Sequence, residues 1–379
     1  MQSVIISSCD VNTCAAKLAE AAAALREGAL VVFPTETVYG VGANAAHAGA
    51  IARLRELKEA NDLRPFTVHL GRRSDAAMYV SRPSPLLRRL SRRCWPGPLT
   101  LVAEETEPQR TKVAELCPAE LLGAIFYGNT IGLRCPDHPA AQRLLCEAGV
   151  PVVASSANLH GRPPPLTLEE ALRDLSGRVE YAIDGRRTRF SAASTVVKVE
   201  GHSWRILRQG ALDERTIRRL ARSVILFVCT GNSCRSPMAE YLFRHKLARE
   251  LGYTLQELDA AGYEVVSAGT SALPEGGASS GSMEQMARRG IDLSSHRCQP
   301  LTVELIQRAE RIYVMSPEHR DAVLDLVPAA ADRVELLDPE GPVPDPIGGG
   351  PEAYERCAAQ IERQVEARVR EFLDEDRNW

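Results

Sequence analysis

The sequence predicts an α/β protein of two domains, the second built on a doubly wound parallel sheet. Three observations carry that reading. The chain has 379 residues, more than one ordinary core needs and enough for two. Val224-Ile-Leu-Phe-Val228 is an unbroken apolar run, typical of a strand covered on both faces. Charge reverses along the chain: residues 1–222 hold 30 Lys/Arg against 23 Asp/Glu (net +7), and residues 223–379 hold 16 against 26 (net −10). A basic half and an acidic half suggest different partners.

Composition sets outer bounds. With 44% hydrophobic and 25% charged residues, the chain has the balance of a globular protein. The opening Met-Gln-Ser-Val-Ile-Ile-Ser-Ser-Cys-Asp lacks a basic start and a long apolar stretch, so no signal peptide is expected. No apolar run reaches the roughly 18 residues of a membrane span, and a cytoplasmic location without membrane partners is expected. The ten cysteines are scattered, with no C-x2-C pair. That argues against a structural metal site and makes most of them small buried hydrophobes.

The elements follow in order. Gly28 to Gly40 reads as a short apolar strand running into a polar turn. Arg88, Arg89, Arg92 and Arg93 form a basic cluster, read either as an RNA-backbone patch or as a solvated helix face; no aromatic is interleaved to stack bases. From Arg208 to Ser223 the composition changes, and Ile217 with Leu220 give a weak helical stripe. The boundary is therefore placed at 222/223, across a short helical link. No internal repeat joins the halves, which read as a fusion of unrelated domains. After the Val224–Val228 strand comes a loop, then a helix with Ala239, Leu242, Phe243 and Leu247 on one face. A further strand is expected at Arg311 to Met315. A long amphipathic helix is expected from Glu352 to Glu375, burying Tyr354, Ala358, Ile361, Val365 and Phe372.

Between the first strand and helix of the second half lies Cys229-Thr230-Gly231-Asn232-Ser233-Cys234-Arg235-Ser236-Pro237. A phosphate dianion needs a nest of backbone N–H groups and the positive end of a helix. Gly231 would permit the unusual dihedrals of such a nest. Arg235 offers a bidentate grip on two phosphoryl oxygens, and the same field favours the thiolate of Cys229. Ser236 is placed to donate a hydrogen bond to that sulfur. Cys234 reads either as a small buried residue or as a reversible disulfide partner for Cys229.

This loop resembles the signature of the low-molecular-weight protein phosphatases. Ser267-Ala-Gly-Thr270, Ala287 to His296, Val314-Met-Ser316 and Pro344-Asp-Pro-Ile-Gly348 stand in that family's order. The resemblance implies Cys229 as nucleophile, Arg235 as phosphate ligand, Asp345 as general acid, and no cofactor. Thr230, Gly231, Asn232, Ser233, Cys234 and Ser236 would complete the phosphate loop. The thiol-coupled arsenate reductases share the loop but need a close pair of relay cysteines. After Cys234 only Cys298 and Cys357 remain, far apart in sequence. Ser233 points to phosphorylated proteins carrying phosphoarginine: tyrosine-directed relatives have a bulky aliphatic residue there, whereas bacterial arginine phosphatases have a threonine. The Asp-Pro loop also lacks the tyrosines that tyrosine-directed relatives place beside the acid. Phosphotyrosine is the alternative.

The first half resembles the YrdC-type threonylcarbamoyl-adenylate synthases, and so implies a mixed α/β domain. The motifs are Gly28 to Gly40, Lys58 with Arg64-Pro-Phe-Thr-Val-His69, Trp95-Pro-Gly-Pro-Leu-Thr100, Thr130-Ile-Gly-Leu-Arg134, Ser155-Ser-Ala-Asn158, Ser194-Thr-Val-Val197 and Ile206-Leu-Arg-Gln-Gly210. That family joins L-threonine, bicarbonate and ATP, with Mg2+, into the precursor of a tRNA modification, so tRNA or its threonylcarbamoyl transferase machinery would be partners. By the resemblance, Lys58, Arg64, Thr130, Ser156, Asn158 and Arg208 contact ATP, and Thr35, His69, Arg134 and Ser194 contact threonine. The family's lysine–x–arginine is here Lys58-Glu59-Ala60, without the arginine. The alternative is a non-catalytic nucleotide- or RNA-binding module.

Overall fold

A computed structural model describes residues 3–7, 14–58 and 65–377, with side chains to residue 374. The chain divides into two compact units, with the division between Leu220 and Ala221.

The first unit holds strands β1 (Val4–Ser7), β2 (Val31–Phe33), β3 (Gly40–Asn44), β4 (Thr67–His69), β5 (Leu99–Glu104), β6 (Phe126–Tyr127), β7 (Thr130–Arg134), β8 (Val152–Ser156), β9 (Tyr181–Asp184), β10 (Thr195–Glu200) and β11 (Ser203–Arg208). They form one mixed sheet in the order β1-β9-β2-β3-β8-β4-β7-β5-β10-β11, with β6 paired to β7. Its helices are α1 (Ala15–Arg26), α2 (Ala48–Leu57), α3 (Pro85–Cys94), α4 (Pro139–Ala148) and α5 (Leu168–Leu175). Leu18, Ala21, Ala22 and Leu25 of α1 meet Ala140, Ala141, Leu144 and Leu145 of α4 in a core closed by Val31, Phe33 and Ile183. β2 and β3 are buried throughout, so neither shows the alternation of a half-exposed strand.

One expectation fails in α3. Arg89 is fully buried, so the Arg88–Arg93 cluster is neither a solvated face nor a continuous phosphate patch. Burial in α3 reaches beyond Leu86, Leu87 and Leu90 to Arg89 on one side and Ser91 on the other, a wider face than an apolar stripe alone.

The link is helical: α6 spans Glu214–Ala221. The second unit has strands β12 (Ser223–Cys229), β13 (Tyr263–Gly269), β14 (Arg311–Val314) and β15 (Val334–Leu336), all parallel, in the order β13-β12-β14-β15. Its helices are α7 (Arg235–Leu251), α8 (Leu255–Ala260), α9 (Ser280–Ala287), α10 (Val303–Arg308), α11 (Pro317–Leu326) and α12 (Pro351–Arg377). Every residue of β12 is buried, because each sheet face carries its own core. Phe227, Phe243 and Leu247 pack with Ile361, Val365 and Phe372 of α12 on one face; Leu226 and Val228 pack with Ile306 and Val323 on the other. Among the expected stripe of α12, Tyr354 is only half-buried, since its ring reaches toward the phosphate loop.

Candidate active sites

In the second unit β12 ends at Cys229 and α7 begins at Arg235, so the loop between them caps a buried strand and opens a helix. Cys229 Sγ lies 2.9 Å from Ser236 Oγ and receives the Asn232 backbone N–H at 3.3 Å. The left-handed residue of the loop is Asn232, with φ 54°, and not Gly231 as expected. Asparagine tolerates this region because its short amide can bond locally. Here Nδ2 donates to Ser236 Oγ at 3.0 Å and Ser267 Oγ at 2.7 Å, and Oδ1 accepts Gln299 N–H at 2.9 Å. His296 Nε2 holds the Asn232 carbonyl at 2.8 Å, and the Cys298 thiol donates to the same oxygen at 3.1 Å.

Arg235 donates to Thr230 Oγ1 and to the Val343 carbonyl, each at 3.2 Å, and pairs with the Asp345 carboxylate. The Asp345 loop is steadied by Ile347 N–H donating to Oδ1 at 3.2 Å. Thr230 Oγ1 also lies 2.9 Å from His319 Nε2, whose other nitrogen meets Ser316 Oγ at 2.9 Å. Burial first, and Arg235 second, push the His319 imidazole down to about 4. It is therefore neutral near pH 7, with one ring nitrogen a donor and the other an acceptor between the Thr230 and Ser316 hydroxyls.

Cys229 and Cys234 are both free thiols. Cys234 Sγ donates to Ser279 Oγ at 3.2 Å and lies 3.6 Å from Tyr354 Oη. Ser233 is partly exposed, and its hydroxyl makes only a long 3.6 Å contact with Cys234 Sγ. Cys298, distant in sequence, is bonded to the Asn232 carbonyl of the phosphate loop, so separation along the chain does not by itself keep a cysteine away from this site. Sequence reading singled out neither His319 nor Tyr354 as belonging to this site. The Ser316-x-x-His319 spacing at the start of α11 was the available signal for the first; for Tyr354, counted as core, there was none.

In the first unit a cleft is lined by Thr35, His69, Arg134, Ser156, Ser194 and Arg208, which sit on or beside β2, β4, β7, β8, β10 and β11. Arg134 is buried and donates to Glu36 at 2.8 Å, Thr35 at 3.3 Å and Thr37 at 2.5 Å. His69 donates from Nδ1 to the Thr67 carbonyl at 3.1 Å, its ring edge-on to Phe33. Burial, then the Arg134 charge, drive its imidazole down to about 3, leaving it neutral with Nε2 an acceptor. Arg208 donates to Ser194 O at 2.9 Å, and Ser194 Oγ meets Thr100 Oγ1 at 2.9 Å. Lys58 Nζ donates to the backbone carbonyls of Ser156 and Asn158, each at 2.6 Å; burial lowers its ammonium to about 8.

Of the expected nucleotide contacts, Ser156 and Arg208 line the cleft; Lys58 and Asn158 are not among its lining residues, although Lys58 bonds both Ser156 and Asn158. Thr130 sits four residues before Arg134 on the same strand, its hydroxyl donates to Tyr127 O at 2.9 Å, and it is absent from the cleft wall. Arg64, with Glu59 and Ala60, lies outside the described residues, although Pro65 and Phe66 immediately after it line the cleft. The cleft wall contains no carboxylate among the described residues. Among those residues no group of three His, Cys, Asp or Glu is placed to hold a metal, and no helix is long and apolar enough to cross a membrane.

Comparison with known proteins matches each unit separately. Residues 23–210 match the Sua5/YciO/YrdC family model described as "Telomere recombination", and residues 224–378 match that of the low-molecular-weight phosphotyrosine protein phosphatases. The threonylcarbamoyl-AMP synthase of Bacillus subtilis is 36% identical over 208 residues, 55% of this chain; the match takes in 57% of that protein, little more than half its length. A Mycobacterium tuberculosis protein named for the same synthase is 34% identical over 200 residues, 53% of this chain and 87% of that one. Among solved structures, a YwlE mutant from B. subtilis is 32% identical (40% of this chain, 98% of that one, TM-score 0.36). A low-molecular-weight protein tyrosine phosphatase from T. tengcongensis is also 32% identical (39% and 99%, TM-score 0.36). The chain thus belongs to two families at once, joining a Sua5/YrdC-type threonylcarbamoyl-AMP synthase domain to a low-molecular-weight phosphatase domain.

Proposed function

We propose that the chain is a bifunctional enzyme that hydrolyses phosphoarginine in proteins and makes threonylcarbamoyl-AMP from ATP, bicarbonate and L-threonine. The observation carrying the first activity is the convergence of Cys229, Arg235, Ser236 and Asp345 on one loop. The Cys229 thiolate attacks phosphorus, the bond from phosphorus to the leaving nitrogen breaks, and that nitrogen takes a proton from Asp345. Water then attacks the phosphocysteine and gives its proton to Asp345, while the P–S bond breaks and Sγ leaves as a thiolate. Ser236 stabilises that sulfur, and Arg235 binds the phosphoryl oxygens.

Ser233 carries the choice of phosphoarginine. Its hydroxyl is half-exposed and weakly engaged. It is free to pair with a guanidinium N–H that an aliphatic side chain would leave unsatisfied, a cost of about 1–3 kcal/mol. Tyr354 is the counterweight, an aromatic ring close to the loop that suits a phenyl group. A panel of phosphoarginine and phosphotyrosine peptides decides between them. The expected result is higher kcat/KM for phosphoarginine, shifting toward phosphotyrosine in Ser233→Ile. A preference for phosphotyrosine that the substitution leaves unchanged refutes the assignment.

For the synthase, support comes from one cleft gathering the cations Arg134 and Arg208, the neutral acceptor His69 and the hydroxyls of Thr35, Ser156 and Ser194, with Lys58 held against its Ser156 edge. The cations suit phosphates and a carboxylate. Because the described wall has no carboxylate, Mg2+ would enter bound to ATP, screening its phosphate charge, and the residues here would grip the nucleotide. Threonine- and bicarbonate-dependent pyrophosphate release is the expected activity, raised in Ala60→Arg, which restores the family's cation. If neither protein forms an adenylate, the unit is a binding module.

A further inference from the structure

The first unit holds a second cavity, and His69 belongs to its wall as well as to that of the main cleft. The segment after β4 builds one side of it, and the C-terminal end of α4 another. Gly71 lets the two lie close, since a Cβ there would come within 2.5 Å of Cys146 Sγ. The wall is amphipathic. Met78, Leu116, Leu145 and Val150 supply aliphatic surface, while Arg72 and Asp75 supply charge of both signs. Neither charged residue lines the main cleft. Asp75 Oδ2 accepts the Arg72 backbone N–H at 2.9 Å, yet the two side chains form no ion pair among the described residues. Tyr79 lines the cavity too. Only 4% of its surface is exposed, and its hydroxyl has no partner among the described residues. Burial first, and the Asp75 carboxylate second, push that phenol well above its usual value, so it stays neutral, both a donor and an acceptor.

We propose that this cavity is a binding site for a small aliphatic α-amino acid, whether or not the main cleft makes an adenylate. Arg72 takes the ligand carboxylate in charge-assisted hydrogen bonds. Asp75 takes the ammonium through the oxygen that the Arg72 N–H leaves open. An ammonium has three hydrogens to place, and the Tyr79 oxygen accepts one that Asp75 does not. The four aliphatic side chains cover the ligand's own. Charge of both signs selects a zwitterion over a plain acid or amine, because either of those leaves one wall charge unpaired against apolar surface. Residues 72 and 75 are tied by a backbone hydrogen bond, which sets the two charges close together, as they are on either side of an α-carbon. A peptide would hold its terminal charges farther apart.

The test titrates the full chain with L-leucine by calorimetry, and one leucine should bind per chain. N-acetyl-L-leucine, which lacks the ammonium, and L-leucinamide, which lacks the carboxylate, should each bind about tenfold more weakly or worse, the equivalent of one lost charged hydrogen bond. Asp75→Asn and Arg72→Gln should weaken leucine to the same degree. Asp75→Asn keeps an acceptor for the Arg72 N–H, so the local fold is preserved. Arg208→Gln, which alters the main cleft alone, should leave leucine affinity unchanged. Unfolding temperatures check that the variants fold, and the two analogues decide on the parent protein if one does not. Three results overturn the site: no leucine binding, an acetylated or amidated leucine that binds as tightly as leucine, or a loss in Arg208→Gln with none in Asp75→Asn. The last of these would put leucine in the main cleft instead.

Discussion

Asn232 and Lys58 show how single side chains set the chemistry of the two units. Asn232 accepts a left-handed backbone because its amide is held by Ser236, Ser267 and Gln299, and that turn aims its own N–H at Cys229 Sγ. Replacing the nucleophile by Cys229→Ser should abolish turnover while leaving phosphate binding intact, measured by phosphate titration of the folded protein. Asp345→Ala should slow turnover of phosphoarginine peptides by roughly 100- to 10,000-fold, and less for p-nitrophenyl phosphate, which needs little protonation. Lys58 makes a pH prediction of definite sign. Burial lowers its folded value to about 8, so the ammonium that would face ATP persists below pH 8 and is lost above it. The KM for ATP should therefore rise as pH climbs through 8. In Lys58→Arg that rise should vanish, because a guanidinium stays charged; an unchanged profile would remove Lys58 from the nucleotide site.

Elements matter here for what they deliver to a loop. β12 and α7 bring Cys229 and Arg235 to the two ends of one turn, and that much was legible in the sequence, since an apolar run, C-x5-R and an amphipathic helix are local patterns. α12 was equally legible as a helix, but not as a supplier of Tyr354 to the site. The placement depends on α9, where the position a Cβ on Gly281 would take lies 2.7 Å from the Tyr354 ring. Gly281→Ala should push that ring away from Cys234 and destabilise the unit by about 1–3 kcal/mol, the usual cost of overpacking. Gly341→Ala, where an added Cβ meets nothing within 4 Å, is the control. Thermal unfolding of the two variants reads the difference. β7 teaches the converse: Thr130 and Arg134 share one short motif, yet about 13 Å of extended strand separates them, and only Arg134 reaches the cleft.

At the scale of the molecule, each unit has its own sheet and its own cores, with Leu18, Leu25 and Leu144 central to one and Phe227, Phe243 and Ile361 to another. Two cooperative transitions are expected in calorimetry of the intact chain. Orthovanadate should raise only the transition of the phosphatase unit, and ATP with threonine only the other, each by about 2.7 kcal/mol at a hundredfold excess over Kd. A single transition shifted by both ligands would show that the units unfold as one.

Local pattern determined the class of each half, the phosphate loop and the main helices, because periodicity, loop spacing and capping act between residues close in sequence. Tertiary structure decided which side chains face those loops. Arg89 is buried although it reads as surface, because the packed face of α3 extends past its leucines on both sides. Asn232, not Gly231, bends the phosphate loop, because Ser267 and Gln299 arrive from elsewhere to hold its amide. His319 and Tyr354 reach the site from α11 and α12, set there by the packing of helices against a sheet. Such contacts join residues 89 and 120 positions apart, and beyond the Ser316-x-x-His319 spacing no local pattern records them.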